Sequence, residues 1–251
     1  MSGLRRLALP VGIVAALLLI YMENPWISPP EGIVSQAVTI GFWVLMIALI
    51  VILFEDRKGH DADTVNVEGP AFTRFLFSNT RAGLFWLPIR LFVGFAWLDA
   101  GWHKFTDPAW MNGGSALRGY WERAASIPEQ GRPPITYEWY RDFINFLLAG
   151  NHEGWFAYVV TFGELAVGIG LILGALTGVA AFFGAFMNMS FLLAGSASTN
   201  PVMFVFAVGL MLAWKVAGYY GLDRYLLPML GTPWQHGPIR SRQPAGAPAS
   251  G

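Results

Sequence analysis

Long apolar runs in which charge is rationed constrain this chain more than any other feature. Crossing about 30 Å of hydrocarbon takes about 20 mostly apolar residues in helix, because a helix satisfies its own backbone N–H and C=O groups where no water can. Six runs approach that length: Leu7–Met22, Val34–Phe54, Gly83–Trp102, Trp155–Leu176, Gly178–Ala194 and Pro201–Tyr219. Of the 251 residues 55% are hydrophobic and only 13% charged, about half the charged share of a soluble domain. The expectation is an all-α integral membrane protein.

Basic residues orient such a bundle, because short loops rich in Lys and Arg stay cytoplasmic. Arg5 and Arg6 precede the first run, Arg57, Lys58, Arg74 and Arg81 lie between the second and third, and Arg224, Arg240 and Arg242 follow the last. The opposite short loops, Glu23–Gly32 and Gly195–Asn200, hold neither Lys nor Arg. The pattern predicts a multi-pass protein of the cell (inner) membrane with both termini cytoplasmic, with Trp26, Trp86, Trp155 and Trp214 in interfacial belts. Arg5-Arg6 before a short run reads as an uncleaved anchor, since Tyr21-Met22-Glu23-Asn24-Pro25 offers no small-x-small cleavage site. Three segments follow: 1–66 with two transmembrane helices and a loop, 67–227 as the core, and 228–251, whose Pro, Ala, Ser and Gly predict a disordered tail.

The stretch 104–153 is too long for a plain connection and predicts an external helical cap. Asn112-Gly113-Gly114-Ser115 reads as a turn ending in an N-cap at Ser115, with a helix over Ala116–Ala125. A second helix is expected from Thr136, with Glu138, Arg141, Asp142 and Asn145 on one stripe and Tyr137, Tyr140, Ile144, Leu147 and Leu148 on another. Too short to cross, it lies at the outer membrane surface, covers a lateral opening in the bundle, or packs against the cap. Lys104, Arg118, Arg123, Arg132 and Arg141 also fall here, and some of them, with His103 or His152, are candidates to receive a small anion.

Cysteine is absent, which excludes disulfides, thiolate nucleophiles, iron–sulfur clusters and Cys-bound zinc. Only His103 among four histidines lies near an apolar run, so neither intrinsic haem nor another metal site is expected. Lys+Arg and Asp+Glu balance at 16 each, giving no reason to expect a nucleic-acid partner. Redox chemistry would therefore need a bound cofactor or substrate.

Charges inside apolar helices usually face a bundle interior or a cavity. On an ideal helix Trp86, Arg90, Gly94, Trp97, Gly101 and Lys104 share one line within about 40°, with Asp99 and His103 on the far side. Rise per residue puts Arg90 within side-chain reach of Glu164, predicting a buried pair. Asp99 and His103, one turn apart, are placed to share a proton. Lys215 is expected to snorkel to the surface and Asn188 to hydrogen-bond between helices. Gly163, Gly168, Gly170, Gly174, Gly178 and Gly184 predict close helix contact; Gly168-Ile169-Gly170, inside an apolar helix, is no dinucleotide fingerprint.

These residues also carry a resemblance. Arg90-Leu91-Phe92-Val93-Gly94-Phe95-Ala96-Trp97 leading to Ala100-Gly101-Trp102-His103-Lys104-Phe105, then Gly163-Glu164-Leu165-Ala166-Val167-Gly168, Leu171-Ile172-Leu173-Gly174 and the closing Ala217-Gly218-Tyr219-Tyr220-Gly221-Leu222-Asp223-Arg224 resemble the DoxX/DoxD family. Trp110-Met111-Asn112-Gly113-Gly114-Ser115 and the size of the insertion look most like the DoxD branch, the large subunit of thiosulfate:quinone oxidoreductase. The resemblance covers roughly 81–227. It implies a four-helix DoxX-like membrane bundle, to which the first two helices are an addition, a quinone as bound substrate or cofactor, and a second subunit of a redox complex.

The expected activity is electron transfer from an external, thiosulfate-like sulfur anion to quinone. The alternative is a non-catalytic anchor or assembly subunit of a redox complex; a transporter is less favoured, since no paired broken helices appear. On the leading reading Lys104, Arg118, Arg123 and Trp97 bind substrate, Arg90 polarises a quinone carbonyl, and Glu164 or the Asp99–His103 pair supplies protons.

Overall fold

The computed structural model describes residues 3–23, 33–57 and 69–231. The expected tail from residue 228 onward lies outside the described residues beyond 231, as do both loops of the N-terminal region. Among the described residues every regular element is a helix, and the chain divides into two units, Met1–Glu68 and Gly69–Gly251.

The first unit is a pair, α1 (Gly3–Glu23) and α2 (Ile33–Arg57), that extends the first two apolar runs at both ends. Among its described side chains Ala15 and Phe42 are buried, and Gly12 faces Leu49 at ordinary van der Waals range.

The second unit opens with α3 (Ala71–Ser78), a helix with no buried residue that the apolar-run reading did not anticipate. It is tied to the bundle by the Trp86 indole, which donates to the Leu76 carbonyl at 2.8 Å. After one 3-10 turn come α4 (Gly83–Thr106), α5 (Pro108–Met111), α6 (Ser115–Ala125), α7 (Glu138–Ala149), α8 (Glu153–Leu173), α9 (Thr177–Leu193), α10 (Asn200–Leu212), α11 (Trp214–Ala217) and α12 (Asp223–Met229). Residues Thr80–Thr106 and Glu153–Leu173 are long and apolar enough to cross a membrane; α9 and α10 are shorter apolar helices. The expected single run Pro201–Tyr219 is interrupted at Ala213, where Trp214 turns in against Gly178; a Cβ on that glycine would stand 2.6 Å from the Trp214 Cβ.

Small residues set the packing of α4, α8 and α9. A Cβ on Gly168 would stand 2.6 Å from the Leu98 backbone nitrogen, one on Gly101 2.9 Å from that of Leu165, and one on Gly94 2.9 Å from the Ile172 side chain. These contacts run α4 and α8 antiparallel in one register, with backbones closer than any larger residue permits. Gly163 facing Met187 and Gly170 facing Ala180 set α8 against α9 in the same way. A core of Trp86, Val93, Trp97, Val167, Leu171, Ala181 and Leu210 fills the middle.

The expected cap is present, with its own core of Leu117, Trp121, Ile135, Tyr140, Ile144, Leu147, Ala157 and Ala194. Its turn differs in one detail. Gly114, not Ser115, is the N-cap of α6, with φ +71°, and its α-carbon lies against the Glu153 carbonyl where a Cβ has no room. Glycine is required there both for the left-handed backbone and for the approach. The second cap helix starts at Glu138 rather than Thr136, because Tyr137 is extended.

Candidate functional site

At the cap end of α4 and α8 an open cavity of ≈ 460 Å³ is lined by both polar and aromatic residues. Its base is an ion pair. The Lys104 ammonium donates to Glu164 Oε2 at 2.7 Å, with the carboxylate side chain 1% exposed and the lysine 19%. Lys104 also reaches the Ala100 carbonyl at 3.4 Å and lies 5.1 Å from the centre of the Trp110 ring, a cation–π distance. Glu164 Oε1 is buried and has no partner.

Five elements and a turn supply the walls. α4 brings Trp97 and Ala100, α5 Trp110, α6 Tyr120, α9 Phe191 and α10 Asn200 and Met203; Ser196 and Thr199 of the α9–α10 turn close the rim. Tyr120 faces Ser196 without a fully formed hydrogen bond, and burial pushes its phenol above the ordinary range, so it stays a neutral donor. Further polar atoms of α4, α8 and α9 are unsatisfied. The Trp97 indole N–H, the Thr161 hydroxyl and both amide atoms of Asn188 are buried without a partner. The register places Trp97 against Gly184, one turn from Asn188 on α9.

The expected Arg90–Glu164 pair does not form; Glu164 pairs with Lys104 instead. Rise along two separate helices could not fix their relative register, which the Gly101–Leu165 and Gly168–Leu98 contacts decide in favour of Lys104. Arg90 lies at the other end of the bundle, outside the cavity lining. Its guanidinium donates to the Tyr220 carbonyl at 3.1 Å, feels the charge of Asp223, and is crowded by Gly174 and Gly221, neither of which leaves space for a Cβ.

Asp223 is the residue the sequence reading missed. Fully buried, it accepts from the Leu176 N–H at 2.6 Å and the Thr177 N–H at 2.9 Å, capping α9 from a distant part of the chain. Its signal was a single acid within the closing Gly221-Leu222-Asp223-Arg224, just past the last apolar run.

Of the other expected site residues, Trp97 and Lys104 line the cavity and Asp99 reaches its mouth. Asp99 and His103 approach to 3.4 Å, but both side chains are 74% exposed and His103 is not in the lining. Arg118 is bound to Glu122, Asn151 and Glu153, bracing α6 on the start of α8, and Arg123 is exposed outside the cavity. Asn188, expected to bond between helices, makes no such bond. Trp110, Tyr120, Phe191 and Asn200 enter from elements whose convergence no local pattern announces.

A family model described as DoxX matches residues 85–197. The matched stretch runs from α4 through the cap to α9 and holds both Lys104 and Glu164. No curated protein and no solved structure matches the chain. The DoxX match and the apolar helices point to a membrane protein.

Proposed function

Taking residues 85–197 as a DoxX domain, we propose that this chain is the membrane subunit of an oxidoreductase and binds a quinone in the Lys104–Glu164 cavity. The observation that carries the reading is a buried ion pair at the base of an aromatic-walled cavity of ≈ 460 Å³, a size and lining suited to a small planar ligand. A quinone ring would lie among Trp97, Trp110 and Phe191 with one carbonyl accepting from the lysine proton not committed to Glu164 or Ala100. The pair would supply and recover protons at that oxygen. The proposed topology puts the cap outside and both termini in the cytoplasm, as the arginine distribution requires.

The proposed electron donor is a sulfur anion. Two thiosulfate dianions would each lose one electron and join through a new S–S bond, while one quinone takes up two electrons and two protons. A second reading, an anchor or assembly subunit served by a partner, is favoured by one observation: Arg118 is engaged by Glu122 and Glu153 and Arg123 faces away, so the cap offers the anion little beyond Lys104.

The test is extraction of lipid from the purified protein, followed by thiosulfate-dependent reduction of a soluble quinone analogue. The proposal expects near-stoichiometric quinone in the parent and its loss in Lys104→Met. Bound quinone without thiosulfate-dependent reduction would favour the second reading, and no quinone in either protein would overturn the site.

A further inference from the structure

The helix α7 carries three stripes, not two. Taking Trp139 as zero and about 100° per residue, Phe143 and Phe146 fall within about 40° of it. The buried set Tyr140, Ile144 and Leu147 centres about 100° to one side, and the polar set Glu138, Asp142 and Asn145 about 100° to the other. The first set faces the cap core. The middle stripe packs on nothing that would hide it: Trp139, Phe143 and Phe146 are 54%, 43% and 65% exposed.

Such a stripe, flanked by packed protein and by polar residues, is the pattern of a helix lying in a membrane interface. Its neighbours say which surface it meets. The Phe146 ring lies 5.7 Å from that of His152, which lies 5.9 Å from that of Trp155 and accepts from its indole N–H at 3.2 Å. Trp155 opens the exposed flank of α8 that continues through Val159 and Phe162, on a helix long and apolar enough to cross a membrane. The aromatic stripe is thus continuous with a lipid-facing flank. At 12 residues α7 itself is about 18 Å long, too short to cross.

We propose that α7 is an interfacial helix whose Trp139–Phe143–Phe146 stripe inserts into the lipid leaflet on the cap side, with Glu138, Asp142 and Asn145 turned to water. The inference rests on the membrane reading but not on the quinone. It makes the cap a membrane-seated element beside the cavity rather than a solvent-borne lid.

The chain has no cysteine, so single spin labels can be placed by Phe143→Cys, Phe146→Cys, Asp142→Cys, Asn145→Cys and Val159→Cys in the full protein, reconstituted in phosphatidylcholine–phosphatidylglycerol vesicles. Collision with oxygen reports lipid and collision with a water-soluble nickel chelate reports solvent. The expected result is an oxygen-to-nickel ratio at positions 143 and 146 as high as at 159, and the reverse at 142 and 145. Nickel-dominated collision at 143 and 146 with oxygen-dominated collision at 159 would overturn the proposal alone. Shielding of 143 and 146 from both reagents would also overturn it, by showing that the N-terminal unit, a second copy or another protein covers the stripe. Nickel-dominated collision at 159 would overturn the membrane reading itself.

Discussion

Two buried charge clusters lie at opposite ends of the α4–α8 pair, and they differ in what surrounds them. At the cap end Lys104 and Glu164 meet beside open space, with carboxylate, indole, hydroxyl and amide atoms nearby that have no partner. At the other end the Arg90 guanidinium, Gly174 and Gly221 are in such close contact that no Cβ fits on either glycine. The closed cluster also joins three parts of the chain. Leu222 N–H donates to the Leu173 carbonyl at 3.0 Å and Asp223 N–H to that of Gly174 at 2.7 Å, fixing a turn in which Gly174 and Leu176 both have positive φ. Unmet hydrogen bonds do not separate the two ends, since Arg90 Nε and Nη1 and the Thr177 hydroxyl also lack partners; a buried charge therefore does not by itself mark a ligand site, and the open space beside it does.

The largest expected effect is at the closed end. Asp223→Ala removes the acceptor for two buried N–H groups at the positive end of α9 and the nearest negative charge to Arg90, each a costly loss in a low-dielectric setting. Thermal unfolding in detergent should show a loss of about 2–6 kcal/mol, roughly 1–3 kcal/mol for each backbone N–H left without its acceptor. Gly174→Ala, strained at φ +64° and placed against the guanidinium, should be comparably damaging. A stable Asp223→Ala protein beside an unfolded Glu164→Ala protein would reverse the comparison.

A smaller effect separates the two clusters by coupling. Lys104→Met and Glu164→Gln, singly and together, should show an interaction energy of about 1–3 kcal/mol, since removing one partner strands the other and removing both does not. Arg90→Met with Glu164→Gln should be additive within about 0.5 kcal/mol, as for sites without shared partners. Additivity of the first pair would mean that the ion pair is not energetically formed.

Much of the fold was legible because its rules are local. The apolar runs located α4, α8 and α9 to within a few residues, and Gly94, Gly101 and Gly168 sit where backbones meet. What was not legible depends on register between helices. Arg90 and Lys104 share one face of α4, so the sequence offered Glu164 two cations, and only the glycine contacts of α8 select one. The cavity walls come from six separate places, and the cap of α9 from a residue 46 positions away. The aromatic stripe of α7 was legible only in part: a membrane-surface seat was among the readings the sequence allowed, but its two stripes left Trp139, Phe143 and Phe146 unassigned.

The smallest expected effect concerns the joint between cap and bundle. The Tyr140 hydroxyl donates to the Ser190 carbonyl at 2.9 Å, tying α7 to α9, and burial pushes its phenol up to about 12 from an ordinary 10. Tyr140→Phe should therefore cost about 1 kcal/mol, the net worth of a neutral hydrogen bond. The pH dependence has a definite sign. A folded-state value above the unfolded one gives stability that is complete below pH 10 and is lost as pH rises through about 12, because ionisation is then easier in the unfolded chain. The parent should thus lose melting temperature between these limits faster than Tyr140→Phe, and the two curves should meet and cross before the alkaline end, because a rise from 10 to about 12 outweighs about 1 kcal/mol. Tyr120 acts on Tyr140 through its charge, so the difference curve reports this hydroxyl together with that coupling. Parallel curves across that window would mean that the cap is not held to α9 through Tyr140, and would leave its seat to the buried apolar face and the lipid contact alone.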